Sequence, residues 1–281
     1  MKILVVSKNN ISKKKASVKS LKNLLDKKKI DYQIIDFNEV DSFYNEIHDK
    51  KFKNTFDILL SFGGDGTILK AARVARKLDI PILGVNMGTV GFLTTIKDLS
   101  ELSTAIDKIK KKEYLYEERS MIDIEVLREN EKIFKAYAVN EATFMTATLS
   151  KIGKYEIFIG SKESLFTEVN ADGFIIATPT GSTAHSLSAG GPIVSPSVNC
   201  FIITALYPHT LNQRSFVVAD DKELFVKVSS DNQVIDIDGR INCELCKGDI
   251  ITIKKLKKMV KYIVFKKNNF LNNIKEKIKA L

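Results

Sequence analysis

A change of texture near Ser120 constrains this chain more than any other feature. Before it, short apolar strands alternate with stretches of helical period. After it, strand signals follow one another with only turn-rich links between them. Residues 3–7, 32–36, 56–62 and 80–85 read as strands. Between the first two, residues 14–29 put Val18, Leu21, Leu24 and Leu25 on one helical face. Residues 67–77 and 100–111 read as further helices. Strands separated by helices imply a parallel sheet with crossover connections. From residue 121 onward the strands are 121–127, 133–139, 155–159, 174–177, 201–205, 216–218, 224–228 and 234–237.

The expectation is therefore an α/β domain with a parallel sheet, residues 1–99 and 255–281, plus a strand-rich, β-sandwich-like second domain, residues 100–254. Residues 250–254 and 260–265 are expected to pair as a hairpin. Residues 268–281 are expected to form a helix whose apolar stripe of Phe270, Leu271, Ile274, Ile278 and Leu281 returns to the first domain.

Composition removes several functions. The chain has 281 residues, enough for a real core in one large or two modest domains. Its 44 Lys and Arg against 34 Asp and Glu give a net charge of +10. The Lys runs are dispersed and not interleaved with aromatics, so they read as solvated helix faces, with no nucleic-acid partner expected. A positive field would still help collect polyanionic nucleotides. No apolar run approaches the roughly 20 residues of a membrane helix. Polar Ser7, Lys8, Asn9 and Asn10 cut the first apolar stretch too short for a signal peptide, so a cytoplasmic protein is expected. Cys200, Cys243 and Cys246 read as reduced thiols, because the Cys243–Cys246 pair has neither a second pair nor a nearby His to complete a zinc site.

Three segments carry chemistry. In Ser61-Phe62-Gly63-Gly64-Asp65-Gly66-Thr67 a buried strand ends in glycines and a helix begins. Glycines let backbone N–H groups approach a phosphate, and the helix N-terminus favours negative charge. Asp65 would repel that phosphate, so it reads as a proton acceptor or as a holder of a bridging metal; the alternative is a plain helix N-cap. Residues 178–192 follow an apolar strand with many small residues, and Thr178, Thr180, Ser182 and Thr183 are expected to present short donors to a phosphate-bearing ligand. Asn140-Glu141 ends another strand and suits ribose hydroxyls, or a turn.

These segments, in this order, resemble the NAD kinase family. The likeness extends to Leu83-Gly84-Val85-Asn86, Gly91-Phe92-Leu93 and Pro208-His209-Thr210-Leu211, and covers residues 2 to about 254. The Gly-Gly-Asp-Gly-Thr element is shared with diacylglycerol and sphingosine kinases and resembles the phosphofructokinase loop, whereas the 178–192 run is specific to NAD kinases. The resemblance implies transfer of a phosphoryl group from ATP to the adenosine ribose 2′-hydroxyl of NAD, in the cleft between the domains. Asp65 would be the general base. Gly63, Gly64, Gly66 and Thr67 would bind the ATP phosphates. Asp65, Gly66, Lys70, Phe92, Asn140, Glu141, Asn170, Asp172, Thr183, Ala184, His185, Ser186, Ser188 and Arg240 would bind the acceptor. A divalent metal, magnesium, is implied near Asp65 without an assigned side-chain ligand, as are dimers pairing into tetramers. The alternatives are a lipid kinase of the diacylglycerol type and a non-catalytic nucleotide-binding regulator.

The sequence also departs from the family pattern. His185 stands where the family usually has Tyr, Arg214-Ser215 where Arg-Pro is usual, and Asp238-Gly239-Arg240 where Asp-Gly-Gln is common. The loop Asn86-Met87-Gly88-Thr89-Val90 has no basic residue, though the family often carries one there.

Overall fold

The computed structural model describes residues 1–8, 12–47, 52, 54–87, 91–148, 151–266, 270 and 274–275, with 12–16 described by backbone alone. Two compact units emerge: Met1–Glu118 together with the chain from Val260 onward, and Arg119–Met259.

The first unit is an α/β layer. Its six-stranded sheet uses β1 (Lys2–Ser7), β2 (Asp31–Asp36), β3 (Ile58–Phe62), β4 (Ile82–Val85), β5 (Leu115–Arg119) and β17 (Val260–Val264), in the order β2-β1-β3-β4-β17-β5. The β1–β2, β1–β3, β3–β4 and β4–β17 pairs are parallel, with Ile3 opposite Ile58 and Leu60 opposite Leu83. Every residue of β3 and β4 is buried, as expected of parallel strands covered on both faces. Helix α1 (Ser12–Lys27) supplies Val18, Leu21 and Leu25 to one core with Ile3, Val5, Ile58 and Leu60. Helix α2 (Val40–Glu46) precedes β3, and α3 (Asp65–Leu78) packs along β1, β3, β4 and β17.

Two expectations are corrected here. Helix α4 (Leu99–Lys110) was expected in the second domain. Leu102, Ala105, Ile106 and Ile109 instead bury in the first core, which moves the boundary to Glu118. Nor do the last two strands form a hairpin. The first, β16 (Ile250–Lys255), pairs with strands of the second unit, while β17 sits between β4 and β5 in the first. Burial explains the separation: Val260, Tyr262, Ile263 and Val264 are all buried, so β17 needs a slot inside a sheet covered on both sides. The tail helix expected at 268–281 falls outside the described residues except for 270, 274 and 275.

The second unit is one eleven-stranded sheet whose recorded pairs are antiparallel. It comprises β6 (Ile122–Arg128), β7 (Glu131–Ala138), β8 (Glu141–Thr146), β9 (Gly153–Ile159), β10 (Leu165–Ala177), β11 (Cys200–Pro208), β12 (Phe216–Ala219), β13 (Leu224–Val228), β14 (Gln233–Ile237), β15 (Ile241–Leu245) and β16. Strand β10 makes the sheet branch. Its first half pairs with β9, and its second half with β8 on one side and β11 on the other. Phe144, Tyr155 and Phe174 form the aromatic centre of this core, the Phe144 and Phe174 rings stacked at 4.4 Å and Tyr155 edge-on to both. All three side chains are fully buried.

Truncating Phe174 to Ala removes the stacked partner and opens a cavity. The expected cost is about 3–5 kcal/mol of unfolding free energy, measured by urea denaturation. A loss under about 1 kcal/mol would mean that the branch point of the sheet is not packed as described.

Candidate functional site

In the first unit the candidate residues gather at the turn from β3 into α3. Gly63 donates its N–H to Val85 O at 2.9 Å, which fixes the end of β3 against β4. A Cβ on Gly63 would stand 2.3 Å from Thr67 Oγ1, so the buried Thr67 requires glycine there. Gly64 has nothing within 4 Å of a built Cβ, leaving the turn open for a ligand. Gly64 is the N-cap, and Asp65 is the first residue of the helix. Its carboxylate does not cap: Oδ2 accepts the Phe92 N–H at 2.7 Å and Oδ1 the Leu93 N–H at 3.0 Å. The N-cap alternative for Asp65 is thereby set aside.

The amides come from a segment that folds back over the end of β4. Asn86 donates to Ile96 O, and Thr95 and Ile96 donate to Gly84 O. Gly91 abuts the carboxylate, where a Cβ would stand 1.8 Å from Asp65 Oδ1. Lys70, expected at a phosphate, is engaged elsewhere. Its buried Nζ pairs with Asp41 Oδ2 of α2 at 2.7 Å and lies 4.6 Å from the Phe37 ring centre. It ties α3 to α2.

In the second unit the candidate residues lie where β7, β8, β10 and the β14–β15 turn converge. Asp238, in that turn, has φ +52 and Gly239 has φ +68, the left-handed conformations a tight hairpin uses. The Asp238 carboxylate accepts three consecutive backbone N–H groups: Val139 at 2.9 Å, Asn140 at 2.9 Å and Glu141 at 3.0 Å. Burial nevertheless pushes its pKa up to about 6, with the N–H donors and Arg240 pulling the other way. Thr178 closes the same junction, donating Oγ1–H to Val139 O and N–H to Asn140 O. A Cβ on Gly181 would stand 2.2 Å from Asn140 O, so the 178–183 loop lies directly on the strand end.

Glu141 is thus turned inward, with its side chain only 2% exposed. His185, on the short helix α5 (His185–Ser188), sets Nδ1 2.5 Å from Glu141 Oε1. Glu141 Oε2 and Thr180 Oγ1 are buried without a hydrogen-bond partner. Buried orphan oxygens of this kind call for an outside donor. Desolvation raises the Glu141 pKa, His185 opposes the rise, and Asp238 adds to it.

The hydroxyl-rich loop behaves differently from expectation. Thr178 and Ser182 spend their hydroxyls on backbone carbonyls, and Ser186 pairs with Thr204. All three are buried and support the loop instead of facing a ligand. Thr183 and Ala184 are half-buried, while His185, beside Glu141, and Ser188 are exposed. Asn170 and Asp172 are not brought to Glu141. Asp172 precedes Ala177, the register partner of Glu141, by five residues of β10, roughly 17 Å. Asp172 lies 3.9 Å from His209. Sequence reasoning missed Asp238; its only signal was an Asp-Gly pair at a hairpin turn.

Among the described residues no three His, Cys, Asp or Glu side chains cluster to hold a metal ion. Cys200, Cys243 and Cys246 form no disulfide among the described residues.

A glycine turn at a helix N-terminus and an orphaned buried carboxylate oxygen suit a nucleotide-handling protein. The ATP-NAD kinase N-terminal domain model matches residues 2–114, and the ATP-NAD kinase C-terminal domain model matches residues 139–265. The NAD kinase of Carboxydothermus hydrogenoformans is 42% identical over 236 residues, covering 83% of this chain and 82% of that protein. Two solved structures share the fold. A yeast NADH kinase complexed with NADH superposes with a TM-score of 0.83 at 22% identity, covering 99% of this chain and 88% of that one. An NAD kinase from Archaeoglobus fulgidus in complex with ATP gives 0.75 at 24% identity, covering both chains fully. The chain belongs to the NAD kinase family.

Replacing Asp238 with Ala leaves three backbone N–H groups without their acceptor. The expected loss is about 2–4 kcal/mol of stability in urea denaturation, and a loss under about 0.5 kcal/mol would mean water substitutes for the carboxylate.

Proposed function

We propose that this protein phosphorylates the adenosine ribose 2′-hydroxyl of NAD with ATP as donor, giving NADP, and that Asp65 is the general base. The observation that carries the reading is the Asp65 carboxylate, turned away from its own helix and held by two amides. Two N–H donors use two of a carboxylate's roughly four lone-pair positions, so acceptor capacity remains for a hydroxyl proton. The hydroxyl oxygen attacks the γ-phosphorus as its proton passes to Asp65, and ADP leaves. Phosphoryl transfer needs alignment and charge neutralisation above all, which suits a fixed base beside an open glycine turn. Gly63, Gly64, Gly66 and Thr67 are assigned to the ATP phosphates.

The family membership supports NAD as acceptor, and the orphaned Glu141 Oε2 and Thr180 Oγ1 support hydroxyl recognition at the 139–141 junction. Asn140, Glu141, Thr183, Ala184, His185, Ser188, Phe92, Gly66 and Arg240 are assigned to the dinucleotide. Asn170 and Asp172 are assigned to its far end. Lys70 and Ser186 are assigned structural roles. Magnesium is assigned to the ATP phosphates with Asp65 alongside, which fits an ion that typically keeps its waters and takes one or two carboxylates. When bound it would neutralise phosphate charge. Self-association as dimer or tetramer and a cytoplasmic location belong to the same reading. No helix among the described residues is long and apolar enough to cross a membrane. The match of residues 139–265 to the NAD kinase C-terminal domain disfavours the lipid-kinase alternative.

Asp65→Asn is expected to lower kcat about 10²–10⁴-fold while NAD still binds. Turnover within tenfold of wild type would remove Asp65 from the base role. Gly91→Ala drives a methyl into the Asp65 carboxylate and should lower kcat with the far-UV circular dichroism unchanged. Unchanged turnover in that variant would show that the amide clamp does not set the base.

A further inference from the structure

The pairing of an exposed imidazole with a buried carboxylate is not needed for the fold. Glu141 has one oxygen on His185 Nδ1 at 2.5 Å and the other buried and unpartnered. His185 is 70% exposed on its side chain, so it gains little by packing. What it supplies is an N–H donor to a carboxylate that lies almost entirely out of water.

We propose that His185 is a positioning residue that holds Glu141 as an anionic hydrogen-bond acceptor for the dinucleotide, and that this pair sets how NAD affinity varies with pH. The inference rests on NAD being the acceptor. Glu141 Oε2 is useful to a ligand hydroxyl only while the carboxyl is ionised. Burial alone favours the neutral acid, and the imidazole opposes it.

The other charged groups facing the pair come from the β14–β15 hairpin. Asp238 lies behind the Glu141 backbone, and its charge also favours protonation of Glu141. Asp236 of β14 lies in the field of both His185 and Arg240 of the turn. A Cβ on Gly239 would lie 4.0 Å from the His185 ring, so the hairpin passes beside the imidazole. From β10 and the 178–183 loop the neighbours are uncharged. Among the described residues, the side chain within hydrogen-bond reach of the Glu141 carboxylate is therefore His185.

The sign of the effect follows. In wild type the imidazole holds back the rise that burial imposes on the Glu141 carboxyl. With the imidazole gone, only the backbone N–H of residue 185 still opposes burial and Asp238, so Glu141 takes up a proton at higher pH and NAD affinity falls near neutrality. Raising the pH restores it. An uncharged N–H donor in the same place should rescue affinity in part.

The test measures the NAD Kd by calorimetry from pH 5.5 to 9 for wild type, His185→Phe, His185→Asn and Glu141→Gln, with ATP-dependent NADP formation followed in parallel. For His185→Phe the Kd is expected to rise about tenfold or more at pH 7 and to converge on wild type by pH 9. His185→Asn is expected to lie between the two, and Glu141→Gln to be weak with a flattened profile. In His185→Phe the kcat at saturating NAD should change less than KM. Parallel wild-type and His185→Phe profiles would overturn the inference, as would a Glu141→Gln profile that keeps the wild-type shape, which would assign the titration to Asp236 or Asp238. Failure of the wild type to bind NAD or to form NADP would instead overturn the proposed function, so the two failures are distinguishable.

Discussion

One carboxylate organises the candidate site of the second unit. Asp238 sits in a hairpin turn and takes the N–H groups of Val139, Asn140 and Glu141 together. Three successive amides can converge on one acceptor only if the chain bends sharply there, and that bend separates β7 from β8. It also turns the Glu141 side chain inward, from where it meets His185. Thr178 and Gly181 then lock the following loop onto the same bend. Without the turn carboxylate, Asn140 would be an ordinary loop residue and Glu141 a surface one.

The first unit solves a similar problem by opposite means. Its Asp65 carboxylate is held from outside, by amides of a segment nearly thirty residues later in the chain. Two hydrogen bonds to a charged acceptor restrict a side chain that has only two torsions. A pre-set carboxylate avoids the entropic cost of being ordered during the reaction. Both units thus rely on backbone N–H groups, which do not titrate in the physiological range and cannot rotate away.

The local elements were legible in the sequence, and the long-range ones were not. An apolar run ending in Gly63-Gly64 before a helical pattern could hardly fold otherwise, and β3 and α3 lie where the pattern puts them. The strand-rich texture after residue 120 likewise gave the second unit. Strand β8 was missed because Glu141, Thr143 and Thr146 interrupt its apolar residues. Asp238 was missed as a clamp because its partners are 97 to 99 residues away. Thr178, Ser182 and Ser186 were misjudged for a related reason: a hydroxyl in sequence does not show whether a carbonyl already claims it. The Lys70–Asp41 pair was not foreseen because Asp41 lies on a helix with too weak a pattern to be seen.

The position of β17 bears on how the chain is made. The first unit's sheet needs this strand between β4 and β5, yet β17 is translated only after the whole of the second unit. On the ribosome the N-terminal layer therefore waits with a gap in its sheet while some 140 intervening residues emerge and form an independent core. Its exposed edge strands must be kept from pairing wrongly during that interval. A chain interrupted before β17 would hold a finished second unit and an unfinished first, so the N-terminal layer closes only once β17 has been made.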